Sequence, residues 1–228
     1  MWIATAMSAP SYPAPNSLDS GLAHRHFPTL AGSEPFLRRA ATGINRRAGV
    51  GVQRTYLYRA STADGWPAAA ADENRIQWEM LAAEGILQLL NIVPFDVREY
   101  LQRLERGDGC YTLILDGRLA HYSWVQRSES HLITKAGLSV PVRNGEFWIY
   151  NSITAGWARG RGLYSAALER IVQEHFEAGY STGWIYTSGE NVASQRVISR
   201  VGFTPAATLR ALRVGSHYFH LGQAPQGQ

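Results

Sequence analysis

Hydrophobic and polar positions follow two different periodicities along the chain after residue 50. Alternating or continuous runs of β-branched and aromatic residues predict strands, whereas apolar residues three or four positions apart predict helices. The predicted strands cover 53–60, 110–115, 118–125, 145–154, 182–187, 209–214 and 217–221. The predicted helices cover 72–83, 94–106, 162–177 and 192–200. Hairpins therefore precede a strand–helix–strand crossover, an order that predicts an α+β domain with a mixed sheet.

The first 50 residues lack this periodicity and contain several prolines. The net charge of +4 also originates there, because residues 1–54 hold six arginines and two acids while 16 basic and 16 acidic residues follow. We expect a poorly ordered basic N-terminal extension at 1–50, a folded domain at 51–222 and a flexible tail at 223–228. Because the expected domain is neutral overall, nucleic acid is not an expected partner.

Composition excludes several other classes of protein. The single cysteine, Cys110, excludes an intrachain disulfide and a cysteine-based zinc site, and no metal is expected. No apolar run approaches the roughly 20 residues of a membrane span, so no membrane partner is expected. The N-terminus has no basic region ahead of an apolar core, which argues against a secretory signal. The expectation is a cytoplasmic protein.

A glycine-rich turn between a predicted strand and a predicted helix carries the main chemical signal. It reads Arg-Gly-Arg-Gly-Leu-Tyr at 159–164. Such a turn directs backbone N–H groups and the positive end of a helix at one point, which favours a diphosphate. The turn has no Gly-Lys-Ser/Thr, so it is not a P-loop. It is not a dinucleotide fingerprint either, because Ser165 replaces the third glycine and no acid follows at the expected distance.

Two segments resemble motifs of the GNAT (GCN5-related) N-acetyltransferases. The turn at 159–164 is similar to the family's acyl-CoA signature Arg-x-x-Gly-x-Gly/Ala, from which Tyr164 departs at the last position. The segment from Asn191 to Phe203 resembles the family's Asn-x-x-Ala/Ser…Gly-Phe stretch. The resemblance implies a mixed, mostly antiparallel, twisted sheet of about seven strands with a central parallel pair, the GNAT-like α-β-α fold.

The same resemblance implies acetyl-CoA, or another acyl-CoA, as co-substrate and no metal. It implies an N-acyltransferase that moves an acetyl or short acyl group to the amine of a small-molecule acceptor by direct attack on the thioester. A homodimer stays open. The residues implied to bind the cofactor are Ile153, Thr154, Ala155, Arg159, Gly160, Arg161, Gly162, Leu163, Tyr164, Asn191 and Ser194.

The acid and base are less defined. Many family members carry a tyrosine as general acid where this chain has Ile198. Our candidate catalytic residues are therefore Tyr150, Asn151 and Tyr218, with His217 and His220 as further options. Two other functions remain open at this point. One is a non-catalytic acyl-CoA-binding or regulatory domain, and the other is a protein or peptide N-acetyltransferase.

Overall fold

The computed structural model describes residues 50–66, 76–127 and 129–223. Apart from Val50 and Gln223, the predicted N-terminal extension and C-terminal tail lie outside these residues. The strands are β1 Val50–Ser61, β2 Ile76–Met80, β3 Gly109–Leu115, β4 Arg118–Gln126, β5 Ser130–Ile133, β6 Leu138–Pro141, β7 Glu146–Thr154, β8 Thr182–Ser188, β9 Thr204–Val214 and β10 His217–Gln223. The α-helices are α1 Val97–Glu105, α2 Leu163–Glu177 and α3 Val192–Val201.

Eight strands form one mixed sheet in the order β10-β9-β1-β8-β7-β4-β3-β2. All neighbours in this sheet pair antiparallel except β7 and β8, which are parallel. The parallel pair arises because α2 connects the two strands as a crossover. The predicted fold class is therefore confirmed, with eight strands in the main sheet.

Side chains alternate across β7 and reach two different layers. Phe147 and Ile149 point to the face covered by α2 and α3, where they pack with Leu168 and Ile198. Trp148 points to the opposite face, where it is fully buried. This alternation is the two-residue period of a strand buried on both sides.

The second face is covered by two smaller pieces. A 3-10 helix at Ala83–Asn91 and α1 bury aromatic residues of β4. The two-stranded sheet of β5 and β6 covers Trp148 and Trp184. These pieces and the sheet between them leave an opening over the parallel pair.

Two sequence expectations need correction. The predicted helix at 72–83 is wrong over Ile76–Met80, which is an edge strand paired with β3; residues 72–75 lie outside the described part of the chain. Ile76 and Met80 lie on one face of a strand as well as on one face of a helix, so their spacing did not distinguish the two. The last hairpin also starts earlier than expected, at Thr204, because β9 pairs along most of β1.

Candidate active site

The parallel pair separates partway along its length. The ladder between β7 and β8 ends at the pair Ile149–Ile185, although the strands continue to Thr154 and Ser188. A cleft of about 770 Å³ opens there. Residues from both diverging strands line it: Tyr150, Asn151, Ser152, Tyr186, Thr187 and Ser188. The backbone of β7 beyond Ile149 has no β8 partner, so it can pair with an extended ligand.

A β-bulge turns β7 at the start of this opening. Tyr150 and Ile153 face Trp124 and Tyr122 of β4, so two residues of β7 lie opposite one residue of β4. Asn151 in the bulge has a positive φ of 47°, a conformation that asparagine tolerates better than most residues. Its Nδ2 donates a hydrogen bond of 2.6 Å to the hydroxyl of Tyr100 on α1. The bulge is therefore held in place from the neighbouring layer.

Tyr150 belongs to a buried polar cluster behind the cleft wall. Its hydroxyl donates to Oδ2 of Asp108 at 2.6 Å. The same carboxylate oxygen accepts from Arg106 at 2.7 Å, and the Asp108 side chain is 1% exposed. Burial, followed by the negative charge of Asp108, raises the pKa of Tyr150 well above its usual value. Tyr150 is thus a neutral hydroxyl whose proton already points to a carboxylate.

The glycine turn lies at the start of α2 and is open to solvent. Gly160 and Gly162 have φ values of 76° and 75°, in the left-handed region that favours glycine. No atom lies within 4 Å of where a Cβ would stand at either glycine. Arg159 and Arg161 are exposed beside them. Free amides of the first helical turn, open space and two cations fit a diphosphate.

Tyr164 departs from the family signature, and its side chain lines the cleft. Burial raises the pKa of Tyr164 far above its usual value, and the neighbouring side chain of Ser194 offsets part of that rise. Ser194 lies in the first turn of α3, where its backbone N–H donates to the capping Oδ1 of Asn191 at 3.1 Å. The ring of Tyr164 lies 5.8 Å from that of His121. A protonated hydroxyl therefore stands between α2 and α3 on the cleft wall.

Tyr218 lines the cleft from β10, an edge strand of the sheet. Its strand, β10, lies against the 3-10 turn at Thr134–Ala136, which also lines the cleft through Thr134 and Lys135. Gly137 ends this turn with a φ of 58°, and a Cβ there would overlap the backbone carbonyl of Tyr218. The close approach of two backbones at this glycine fixes the position of Tyr218.

Two buried histidines flank the cleft in different ways. His121 lies beneath the cleft, where its ring nitrogens form hydrogen bonds with the hydroxyls of Thr154 at 2.7 Å and Ser123 at 2.9 Å. Burial lowers the pKa of His121 to about 3. His131 lines the cleft, and burial, followed by two arginines, lowers its pKa to about 3. Gln126 donates to the carbonyl of Ser130, so its Oε1 accepts from His131 Nδ1 at 2.8 Å. Nε2 of His131 is then a lone-pair acceptor.

The structure gathers part of the predicted set in one cleft and spreads the rest around it. The six predicted residues that line the cleft are Tyr150, Asn151, Tyr164, Asn191, Ser194 and Tyr218. Ile153, Thr154 and Ala155 continue along β7 toward the exposed turn at 159–162, and Leu163 is buried below it. Ile198 is fully buried, and neither His217 nor His220 lines this cleft.

The ionisable groups that sequence reasoning missed at the site include Arg103 and Asp108. Arg103 of α1 lines the cleft, and Asp108 lies directly behind its wall. Arg103 looked like an ordinary polar position on an amphipathic helix. Asp108 follows the end of that helix and looked like a loop residue. No local signal distinguishes either one, because the layers that bury them come from distant parts of the chain.

Within the described part of the chain, no group of three or more histidine, cysteine, aspartate or glutamate side chains is arranged to hold a metal. None of the described helices is both long enough and apolar enough to cross a membrane. The cleft with its glycine turn is thus a site built from hydroxyls, amides and charged side chains.

Comparison with solved structures identifies the fold. Similar structures include a GNAT-family acetyltransferase from Colwellia psychrerythraea, with 18% identity over 72% of this chain and a TM-score of 0.50. A GCN5-related N-acetyltransferase from Kribbella flavida has 16% identity over 79% of this chain and a TM-score of 0.50. Another from Sphaerobacter thermophilus has 13% identity over 82% of this chain and a TM-score of 0.54.

These comparisons establish that the chain has the GNAT N-acetyltransferase fold, as the two motifs predicted. At such identities the likeness concerns the fold alone. The aligned part of this chain covers 56%, 64% and 56% of those three proteins. No protein-family model matches the sequence, and a search of curated proteins finds no match.

Proposed function

We propose that the chain is an acyl-CoA-dependent N-acyltransferase that transfers an acetyl or short acyl group to the amine of a small molecule. The observation that carries this proposal is the separation of β7 from β8, which opens the cleft beside the glycine turn. An elongated ligand with a diphosphate at one end can lie with that end at Gly160–Gly162 and its arm along β7. Unpaired backbone groups of β7 are suited to the amides of such an arm.

Bound acyl-CoA would supply an acyl thioester at the inner end of the cleft. The residues of this chain must then accept a proton from the nitrogen and give one to the departing sulfur. Tyr150 and Asp108 suit the first task. As the Tyr150 oxygen takes the proton lost by nitrogen, its own proton passes to Asp108 across their 2.6 Å hydrogen bond. Arg106, paired with the same carboxylate, holds it in position.

Tyr164 suits the second task. Burial keeps its hydroxyl protonated, and the neighbouring Ser194 is neutral. Tyr164 can therefore donate its proton to a thiolate more readily than Tyr150, whose proton is directed at a carboxylate. Removing a general acid of this kind lowers the rate by roughly 10²–10⁴-fold. Tyr164 thus offers a hydroxyl that Ile198 lacks.

Calorimetric titration of acetyl-CoA into the full chain tests the binding half of the proposal. We expect micromolar binding that is lost in Gly162→Trp, because the bulky side chain would fill the open side of the turn. Gly215→Trp, in the exposed turn between β9 and β10 and outside the lining of the cleft, also has a positive φ and open space around it; it is the matched control and should bind normally. Absence of binding by the folded, unaltered chain would refute the proposal.

A second function, non-catalytic acyl-CoA binding, is favoured by one observation. Ile198 is fully buried and carries no hydroxyl at the position where the family places its acid. Thiol release during incubation with acetyl-CoA and a panel of amines separates the two functions. Turnover that depends on Tyr164 supports catalysis, whereas tight binding without turnover across the panel supports a sensor.

A further inference from the structure

The cleft contains one buried cation whose hydrogen bonds are incomplete. Arg103 lines the cleft from α1, and its side chain is 11% exposed. Its Nη2 donates to Glu99 at 2.6 Å, but Glu99 is itself 58% exposed at the cleft mouth. The other terminal nitrogen, Nη1, is buried and has no acceptor among the described residues. Because Nη1 has no accessible surface, an anionic ligand would bind the exposed part of the guanidinium, where its partner is the largely solvated carboxylate of Glu99.

Aromatic rings hold this guanidinium in place. It lies 4.3 Å from the ring centre of Tyr100, 5.2 Å from that of Trp124 and 5.1 Å from that of Tyr150. These three cation–π contacts restrict its rotation. The position of Arg103 is thus set by packing and does not depend on Glu99 alone.

Other charges at the cleft are balanced. Arg103, Arg106 and Lys135 line it together with Glu99 and Glu129, and the buried carboxylate of Asp108 lies behind Tyr150. Three cations therefore face three carboxylates. Arg103 would repel a simple cationic amine, and the carboxylates would repel a simple anion. A ligand that carries both charges suits this arrangement.

We infer that the acceptor is a short zwitterion of the α-amino acid class, bound through its carboxylate by the guanidinium of Arg103. This inference rests on the proposed N-acyl transfer and adds the chemistry of the acceptor. Arg103 stacks on Tyr150, the residue proposed to take the proton from the amine. Adjacent sites for the two groups match a molecule in which the amine and the carboxylate are attached to the same carbon atom.

The first test compares ligands that carry a carboxylate with matched ligands that lack it. The probes are the twenty common L-α-amino acids and their carboxamides, with aminoethyl phosphate and ethanolamine as a second pair. We expect at least one amino acid to exceed its carboxamide by about ten- to a hundredfold in kcat/KM, the range for a hydrogen bond to a charged group. Preference for the phosphate pair instead would overturn the carboxylate assignment.

The matched variants are Arg103→Gln and Arg98→Gln, on the same helix. Arg98 is exposed and does not line the cleft, so its change should preserve the preference for the acid. In Arg103→Gln the acid-to-amide ratio should fall to about 1 through a loss of kcat/KM for the acid, and a ratio that stays at the value of the unaltered chain overturns the inference. Arg103→Lys, which retains charge and loses the planar fork, should keep part of the ratio. Circular dichroism verifies that each variant is folded.

Binding of N-acetylated amino acids and their amides, followed by calorimetry, separates the two proposals. Acid-selective binding that requires Arg103 supports the anion site even in a chain that shows no acyl transfer. Turnover of simple amines without any preference for the acid overturns this inference and leaves the N-acyltransferase proposal intact. Equal binding of acid and amide by the unaltered chain also overturns it.

Discussion

The hydrogen bond from Tyr150 to Asp108 allows a sharp test of the proposed proton route. Tyr150→Phe removes one hydroxyl and leaves the ring that packs against Trp124 and Arg103. The lost bond joins a neutral donor to a carboxylate that is 1% exposed. Hydrogen bonds to charged groups contribute about 1.5–3 kcal/mol, so we expect the free energy of unfolding to fall by about 2 kcal/mol.

The effect on catalysis should be larger than the effect on stability. We expect Tyr150→Phe and Asp108→Asn each to lower kcat by about a hundredfold, the lower range for general acid–base catalysis. Because both residues lie on one proton route, the double variant should be no slower than the slower single variant. Urea denaturation and thiol-release kinetics, measured with one acceptor at pH 7.5, supply the two readouts.

Tyr56→Phe, on β1 and outside the cleft, should change stability by less than about 0.5 kcal/mol and leave kcat unaltered. If Tyr150→Phe keeps kcat within threefold of the unaltered chain, the proton does not pass through Tyr150. If its stability is also unchanged, the bond to Asp108 contributes nothing measurable. Multiplicative losses in the double variant would mean that the two residues act separately.

Three further results are expected. Tyr164→Phe should lower kcat by about a hundredfold or more without changing acetyl-CoA affinity, and an unchanged kcat would exclude it as the acid. Gly137→Ala should destabilise the chain by more than Gly117→Ala, because both have positive φ but only at Gly137 would the new Cβ meet backbone; equal urea midpoints would contradict this. Stability should change little between pH 6.5 and about 8 and should fall below pH 6.5. Burial lowers the pKa values of His121, His131 and His175 to about 3, 3 and 4 in the folded chain. As the pH falls, the unfolded chain therefore binds protons at these histidines before the folded chain does. This difference lowers the free energy of unfolding by about 1 kcal/mol per histidine per pH unit. Urea midpoints at pH 7.5, 6 and 5 measure this loss, and a constant midpoint would contradict it.

Some features of the chain were determined by its sequence because they depend on local interactions. The turn at Asp116–Gly117 needs two positive φ angles, which the structure has at 53° and 74°. Helix α2 follows from its apolar spacing and from the glycines before it. The order of hairpins and crossover, together with the two motifs, predicted the fold that the solved structures share.

Tertiary structure alone decided other features. Ile76–Met80 became a strand because β3 offers a free edge, a partner that periodicity cannot reveal. Asp108 meets Tyr150 across 42 positions of sequence, and Arg103 is buried only because α1 packs on aromatic residues of β4 and β7. The charge of a site, and the groups that it leaves without a partner, depend on which layers cover it. Local sequence specifies the layers, but their packing determines the chemistry between them.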